Sequence, residues 1–171
     1  MAEIENTATP GQQAPYFAVS PVKFAAMSIC TFGIYEFFWF YKNWVHIKQR
    51  EQTGIQPFWR AFFAVFFCYQ CFSRVRADTE LLRQASFPAG PLAIGWIVVT
   101  LVAAVPGPYF LLSLVSFLFV LPVQAAANRV NAALAPGYDP NARFSAWNWT
   151  AIVAGSIAIV LAVVGVFVPD E

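Results

Sequence analysis

Charge is what this sequence has least of. Of its 171 residues, 10 are Lys or Arg and 9 are Asp or Glu, so charged residues make up 11% of the chain, against about 25% in an ordinary soluble domain. A water-soluble globule needs a polar shell, and so few charges cannot supply one, which excludes an ordinary soluble domain. The formal net charge of +1 excludes a broad pull toward nucleic acid. Histidine occurs once, at His46, leaving little basis for a histidine-centred catalyst or proton relay. The three cysteines, Cys30, Cys68 and Cys71, are an odd count and not a disulfide framework. Together with His46 they number four potential zinc ligands, but their spacing matches no finger pattern. Residues 1–20 carry Glu3 and Glu5, no Lys or Arg and no apolar core, so no secretory signal peptide is expected. Nucleophile-elbow, zinc-protease, P-loop and dinucleotide-binding motifs are all absent. No cofactor, metal or enzymatic activity is expected.

What the chain has in excess is apolar surface. Hydrophobic residues make up 59% and aromatics 18%, with 18 Phe, 6 Trp and 6 Tyr. The expected class is an all-α integral membrane protein with about four transmembrane helices and one short interfacial or re-entrant helix. Residues 1–19 read as a disordered tail. Residues 20–168 read as a single membrane domain. Ser20-Pro21 is a helix start: a hydroxyl cap, then proline where a missing N–H costs nothing. The segment 24–41 is apolar over a length of about 27 Å as a helix, just enough for a ~30 Å hydrocarbon core. It is interrupted by Gly33 and Glu36 and ends in aromatics, so it either spans or lies in the interface. The segment 61–72 reaches only about 18 Å and reads as re-entrant or in-plane. Residues 20–75 thus form an aromatic-rich interfacial module. Pro106-Gly107-Pro108 divides an uncharged run into a helical hairpin over 91–127. Residues 147–168 form a C-terminal transmembrane helix.

If 61–72 does not span, the loops 42–60, 73–90 and 128–146 all fall on one side. Nine of the ten basic residues then gather there, which is the cytoplasmic side by the positive-inside rule.

Candidate site residues are few. Glu36 is the acidic residue inside a hydrophobic segment, where ionisable groups are costly and often functional. Arg60 is its expected partner in an intramembrane ion pair. Lys42, Trp44, Lys48 and Arg50 form a basic–aromatic collar suited to anionic lipid headgroups. Cys68 and Cys71 make a C-x-x-C, but late in an apolar helix, where burial raises thiol pKa, rather than at a helix N-terminus, where redox pairs sit. Ala154, Ala158 and Ala162 form a small-residue stripe suited to helix packing within the protein or between copies.

The stretches Thr31-Phe32-Gly33-Ile34-Tyr35, Trp39-Phe40-Tyr41-Lys42-Asn43-Trp44 and Pro57-Phe58-Trp59-Arg60-Ala61-Phe62-Phe63 resemble a family of small bacterial membrane proteins known as a domain of unknown function. Asn128-Arg129-Val130-Asn131 and Asn141-Ala142-Arg143-Phe144-Ser145 are similar to it as well. The resemblance covers roughly residues 16–150. It implies a multi-pass protein of the bacterial cytoplasmic membrane and brings no activity with it. The expected function is a non-enzymatic structural, accessory or lipid-interacting component. Its partners would be the lipid bilayer and a second copy or another membrane protein, with no nucleic acid. The alternatives are a small oligomeric transporter or channel, and a membrane thiol–disulfide oxidoreductase using Cys68 and Cys71.

Overall fold

The computed structural model describes residues 14–167, which form seven α-helices and no strands. They are α1 (Pro21–Cys30), α2 (Ile34–Glu51), α3 (Pro57–Phe62), α4 (Ala64–Leu81), α5 (Ala89–Ala103), α6 (Phe117–Leu134) and α7 (Ala146–Phe167), with a 3-10 segment, Pro108–Leu114, leading into α6.

The start of α1 follows from its sequence. The Ser20 hydroxyl accepts from the Lys23 N–H at 3.3 Å, and Pro21 is the first helical residue. The helix stops after ten residues because Phe32 and Gly33 both take positive φ, 50° and 81°. That turn reverses the chain, and α2 runs back along the way α1 came. Both ends of the pair lie together: Val19, ahead of α1, meets Gln124 and Asn128, and Arg50, ending α2, meets Tyr16. The 24–41 segment is therefore two helices that double back on one another, not one continuous helix.

A second reversal follows. Helix α3 packs against α2, and α4 then returns to the same end, where Arg74 pairs with Glu51 at 2.8 Å. Residues 91–127 lie in two antiparallel arms, with Gly95 against Phe119 and Ala85 against Arg129. Only two helices among the described residues are long and apolar enough to span: the continuous rod Pro108–Leu134 and the stretch Ala146–Val166. The expectation of about four is corrected on this point. The 24–41 segment is broken at its turn, and α5 has 15 residues, about 22 Å of helix, bounded by Pro88 and Pro106.

The core is aromatic. On α2, Glu36, Trp39, Phe40, Asn43, Trp44 and Ile47 are buried at helical spacing. Phe40 packs edge-on to Trp96 at 4.9 Å and stacks on Phe72 at 6.0 Å. The aromatic run of α2 is thus divided: Trp39, Phe40 and Trp44 face inward, while Phe37, Phe38 and Tyr41 face outward.

Two glycines permit close packing. A Cβ on Gly95 would lie 2.2 Å from the Phe119 ring, and one on Gly155 would lie 1.8 Å from the Cys30 carbonyl oxygen. Helix α7 therefore meets α1 through Gly155, whereas Ala154 and Ala158 are exposed and Ala162 is half-buried.

The expected tail, 1–19, divides as well. Residues 1–13 lie outside the described residues. Residues 14–19 form an extended strap in which Tyr16 and Val19 are fully buried. Side-chain amides hold its backbone. Asn131 accepts from the Tyr16 N–H and donates to the Tyr16 carbonyl, both at 2.9 Å. Gln124 and Asn128 donate to the Val19 carbonyl, and Asn43 accepts from the Phe17 N–H. An extended segment buried without such partners would leave its peptide groups unpaired.

Candidate functional site: a carboxyl-lined cavity

Helix α2 begins at the positive-φ Gly33, which puts Glu36 in its first turn, facing α5 and the entry of α6. Glu36 is 2% exposed. Its two oxygens each accept one bond: Trp96 donates its indole N–H at 2.5 Å, and Ser116 donates its hydroxyl at 2.7 Å. Ser116 Oγ also lies 2.9 Å from the Ser113 carbonyl. No cation is in contact with the carboxyl among the described residues. Burial raises its pKa from the ordinary 4.5 to about 7, against the Ser116 and Trp96 bonds, which lower it.

Glu36 lies on the wall of a cavity of about 340 Å³ beside the turn that joins α5 to the 3-10 segment. Phe32, Phe37, Phe110 and Trp96 supply aromatic surface, and Thr100, Ser113 and Ser116 supply hydroxyls. Glu36 is the one ionisable residue among those lining it. The cavity can accept a small molecule with an apolar body and one polar or charged group.

The expected Glu36–Arg60 pair does not form. Arg60 lies over Trp44, its Cζ 4.5 Å from the ring, and hydrogen-bonds Gln70 at 3.0 Å. The reason is the turn before α3, which places Arg60 over Trp44, about two helical turns along α2 from Glu36. Burial pushes the Arg60 pKa down, and the nearby Arg74 adds to this.

The headgroup collar also separates. Trp44 is fully buried beneath Arg60 and Arg74, whose guanidinium carbons stand 4.5 and 5.4 Å from its ring. Arg50 pairs with Asp78 at 2.6 Å and donates to the Tyr16 hydroxyl at 3.2 Å. Both are occupied by the protein itself. Lys42 and Lys48 are half-buried and make no ion pair among the described residues.

Cys68 and Cys71 are buried, and none of the three cysteines is in a disulfide. Burial lifts the Cys68 thiol to about 11 and the Cys71 thiol higher still. The described residues contain no group of His, Cys, Asp and Glu able to hold a metal ion.

The basic residues converge. Arg74–Glu51 joins 73–90 to 42–60, and Arg129, donating to the Ala85 carbonyl at 2.9 Å, joins 128–146 to 73–90. Lys23 Nζ donates to Asn141 and to the Arg143 carbonyl, at 3.0 and 2.7 Å. The three loops thus meet at one end of the molecule, and the Glu36 cavity lies toward the other, beside the α5–α6 turn.

Sequence reasoning missed the amide set, Gln124, Asn128 and Asn131. Its signal was polar amides at i, i+4 and i+7 along one otherwise apolar helix. No family model, curated protein or solved structure matches the chain.

Proposed function

We propose that the protein is a non-enzymatic, lipid-interacting component of the bacterial cytoplasmic membrane, in keeping with the family it resembles. One observation carries this reading. Phe58, Trp59, Phe62, Phe63, Phe66 and Tyr69, in succession on α3 and α4, are each 45–75% exposed. Six large aromatics side by side form an apolar patch that water does not favour and a membrane interface does. A groove of about 580 Å³ runs between Phe58, Ala61 and Phe62 on one side and Phe37, Phe38 and Tyr41 on the other. Tyr41 and Phe58 also border a neighbouring, more polar groove that contains Lys48. A phospholipid fits this pairing, acyl chain in the apolar groove and anionic headgroup at Lys48.

In this reading the loops 42–60, 73–90 and 128–146 face the cytoplasm. The reversal of α1 onto α2 supports it, because the strap then lies on the basic side and all ten basic residues share one face. The exposed side of α7 bearing Ala154 and Ala158 is free to meet a second copy or another membrane protein.

Quenching by acyl-brominated lipids tests the reading. The tryptophan fluorescence of the reconstituted wild type falls further than that of Trp59→Phe, the difference being the contribution of Trp59. Equal quenching of the two proteins would remove the patch from the bilayer and with it the proposal. A small oligomeric transporter is the second reading, supported by the ionisable cavity. The oxidoreductase reading is disfavoured by the burial of both thiols.

A further inference from the structure

We propose that the Glu36 cavity is a binding site for a small organic cation, an amine or quaternary ammonium carrying an apolar group. This goes beyond lipid interaction at the α3–α4 patch and does not rest on it, since the two sites share no residue but Phe37.

The chemistry of the wall selects the ligand. An anion is excluded by the carboxylate. A neutral apolar molecule would suit the aromatic walls but could neither balance the ionised carboxylate's charge nor pair its remaining lone pairs. An ammonium answers both features. Its charge meets the carboxylate, and its alkyl or N-methyl groups lie against Phe32, Phe37 and Phe110, aromatic rings of the kind that attract cations. Each Glu36 oxygen has accepted one hydrogen bond from the protein, and an ionised carboxylate has about four acceptor positions in all. Two are therefore left for a ligand. Trp96 and Ser116 hold the group at a fixed orientation, so binding does not have to order it. The volume, about 340 Å³, suits one small molecule and is near the lower end of ligand sites, which run from about 300 to 1,000 Å³. Among the described residues no cation pairs with Glu36, and Arg60 lies instead over Trp44.

The ammonium could come from a free amine or from the headgroup of a phospholipid. Isothermal titration of the full-length protein in dodecyl maltoside at pH 8.5 tests the site, with benzyltrimethylammonium as probe and neopentylbenzene as its uncharged isostere. The wild type binds the ammonium, and the isostere does not compete. Glu36→Gln, which keeps size and polarity, weakens binding at least tenfold. Ala103→Phe, which fills the cavity and leaves the carboxyl in the chain, weakens it as much. It keeps the test decisive if Glu36→Gln fails to fold, as judged by gel filtration and melting. Added phosphatidylethanolamine separates the sources. A drop in probe affinity identifies the lipid headgroup as the occupant, and an unchanged affinity identifies a free amine. Equal affinity of wild type and the folded variants, or equal competition by the isostere, would overturn the proposal. Neither result depends on the Trp59 quenching.

Discussion

Replacing Glu36 by Gln should change stability in a pH-dependent way. The carboxyl is buried, and in the folded protein its pKa rises from 4.5 to about 7. Between those values the folded state holds a proton that the unfolded state has released. Stability therefore falls as pH rises across that window and levels off above it. At about 1.36 kcal/mol per pH unit, the loss is about 3 kcal/mol. The protonated form is well accommodated. A proton on the oxygen nearest Ser116 donates to that hydroxyl, whose own hydrogen turns to the Ser113 carbonyl at 2.9 Å, while Trp96 still donates to the other oxygen. Glutamine reproduces this arrangement at every pH. Its carbonyl must face Trp96, which can only donate, and its NH2 must face Ser116, which can also accept. The variant should match wild type near pH 4.5 and exceed it at pH 8.5 by up to about 3 kcal/mol, roughly 6–12 °C in melting temperature for a protein of this size. His46 also titrates with a lowered pKa, chiefly through burial, but it is common to both proteins and cancels in the comparison. Melting curves of both proteins in one detergent, taken at half-unit steps from pH 4.5 to 8.5, read the effect. Parallel curves, with a constant gap or none, would refute the reasoning.

The remaining predictions concern packing and thiol chemistry. Asn131→Leu removes both bonds to Tyr16; leaving those peptide groups unpaired should cost about 1–3 kcal/mol for each, seen as lower melting temperature and faster proteolysis within residues 14–20. Ser156→Cys should crosslink to Cys30 on mild oxidation, since the two side chains are 3.9 Å apart; adding Gly155→Leu should abolish the crosslink by displacing α7, whereas Ala158→Leu should leave it intact. Maleimide at pH 8 should modify Cys30 alone in the native protein, because Cys68 and Cys71 are buried with raised thiol pKa values; rapid labelling of either would contradict this. Arg60→Ala and Glu36→Gln should be additive in stability to within about 0.5 kcal/mol, as expected of side chains with no shared partner; a larger coupling would restore the ion pair that the structure lacks.

What could be read from the sequence was local, and what escaped it was paired at long range. Ser20-Pro21 predicts the start of α1, and Pro106-Gly107-Pro108 predicts the break between the arms of 91–127; both are short-range steric facts. Glu36 is visible as a buried acid, but its partners stand 60 and 80 residues away. Nothing in the sequence singles out Trp96 and Ser116 over Arg60, which has the obvious charge. The length of apolar segment 24–41 suggests a span because hydropathy cannot see a reversal. In the sequence Gly33 reads only as an interruption, yet its positive φ is what turns the chain. The strap is not legible in the sequence because it is short and its polar partners come from three distant segments.

The amides that hold the strap also explain why the sequence motifs lie where they do. In Trp39-Phe40-Tyr41-Lys42-Asn43-Trp44, Asn43 accepts from the Phe17 N–H and donates to the Trp39 carbonyl one turn back, while the Trp39 indole donates to Gln124. In Asn128-Arg129-Val130-Asn131, both asparagines clamp the strap, and in Asn141-Ala142-Arg143 the first side chain donates to the Ala18 carbonyl. Three stretches, lying between positions 39 and 143, thus converge on one extended segment whose backbone would otherwise be buried unpaired. Apolar residues at these places would pack as well but could not satisfy it. The polar residues of this apolar chain are accordingly divided by depth. Amides and ion pairs fasten the strap and loops at the basic end, and Glu36, fastened by Trp96 and Ser116 alone, is left at the cavity with acceptor capacity to spare. Glutamine could fill the same place but would offer a cation no charge, so what argues for a ligand there is the carboxylate itself, with two acceptor positions unused beside a cavity.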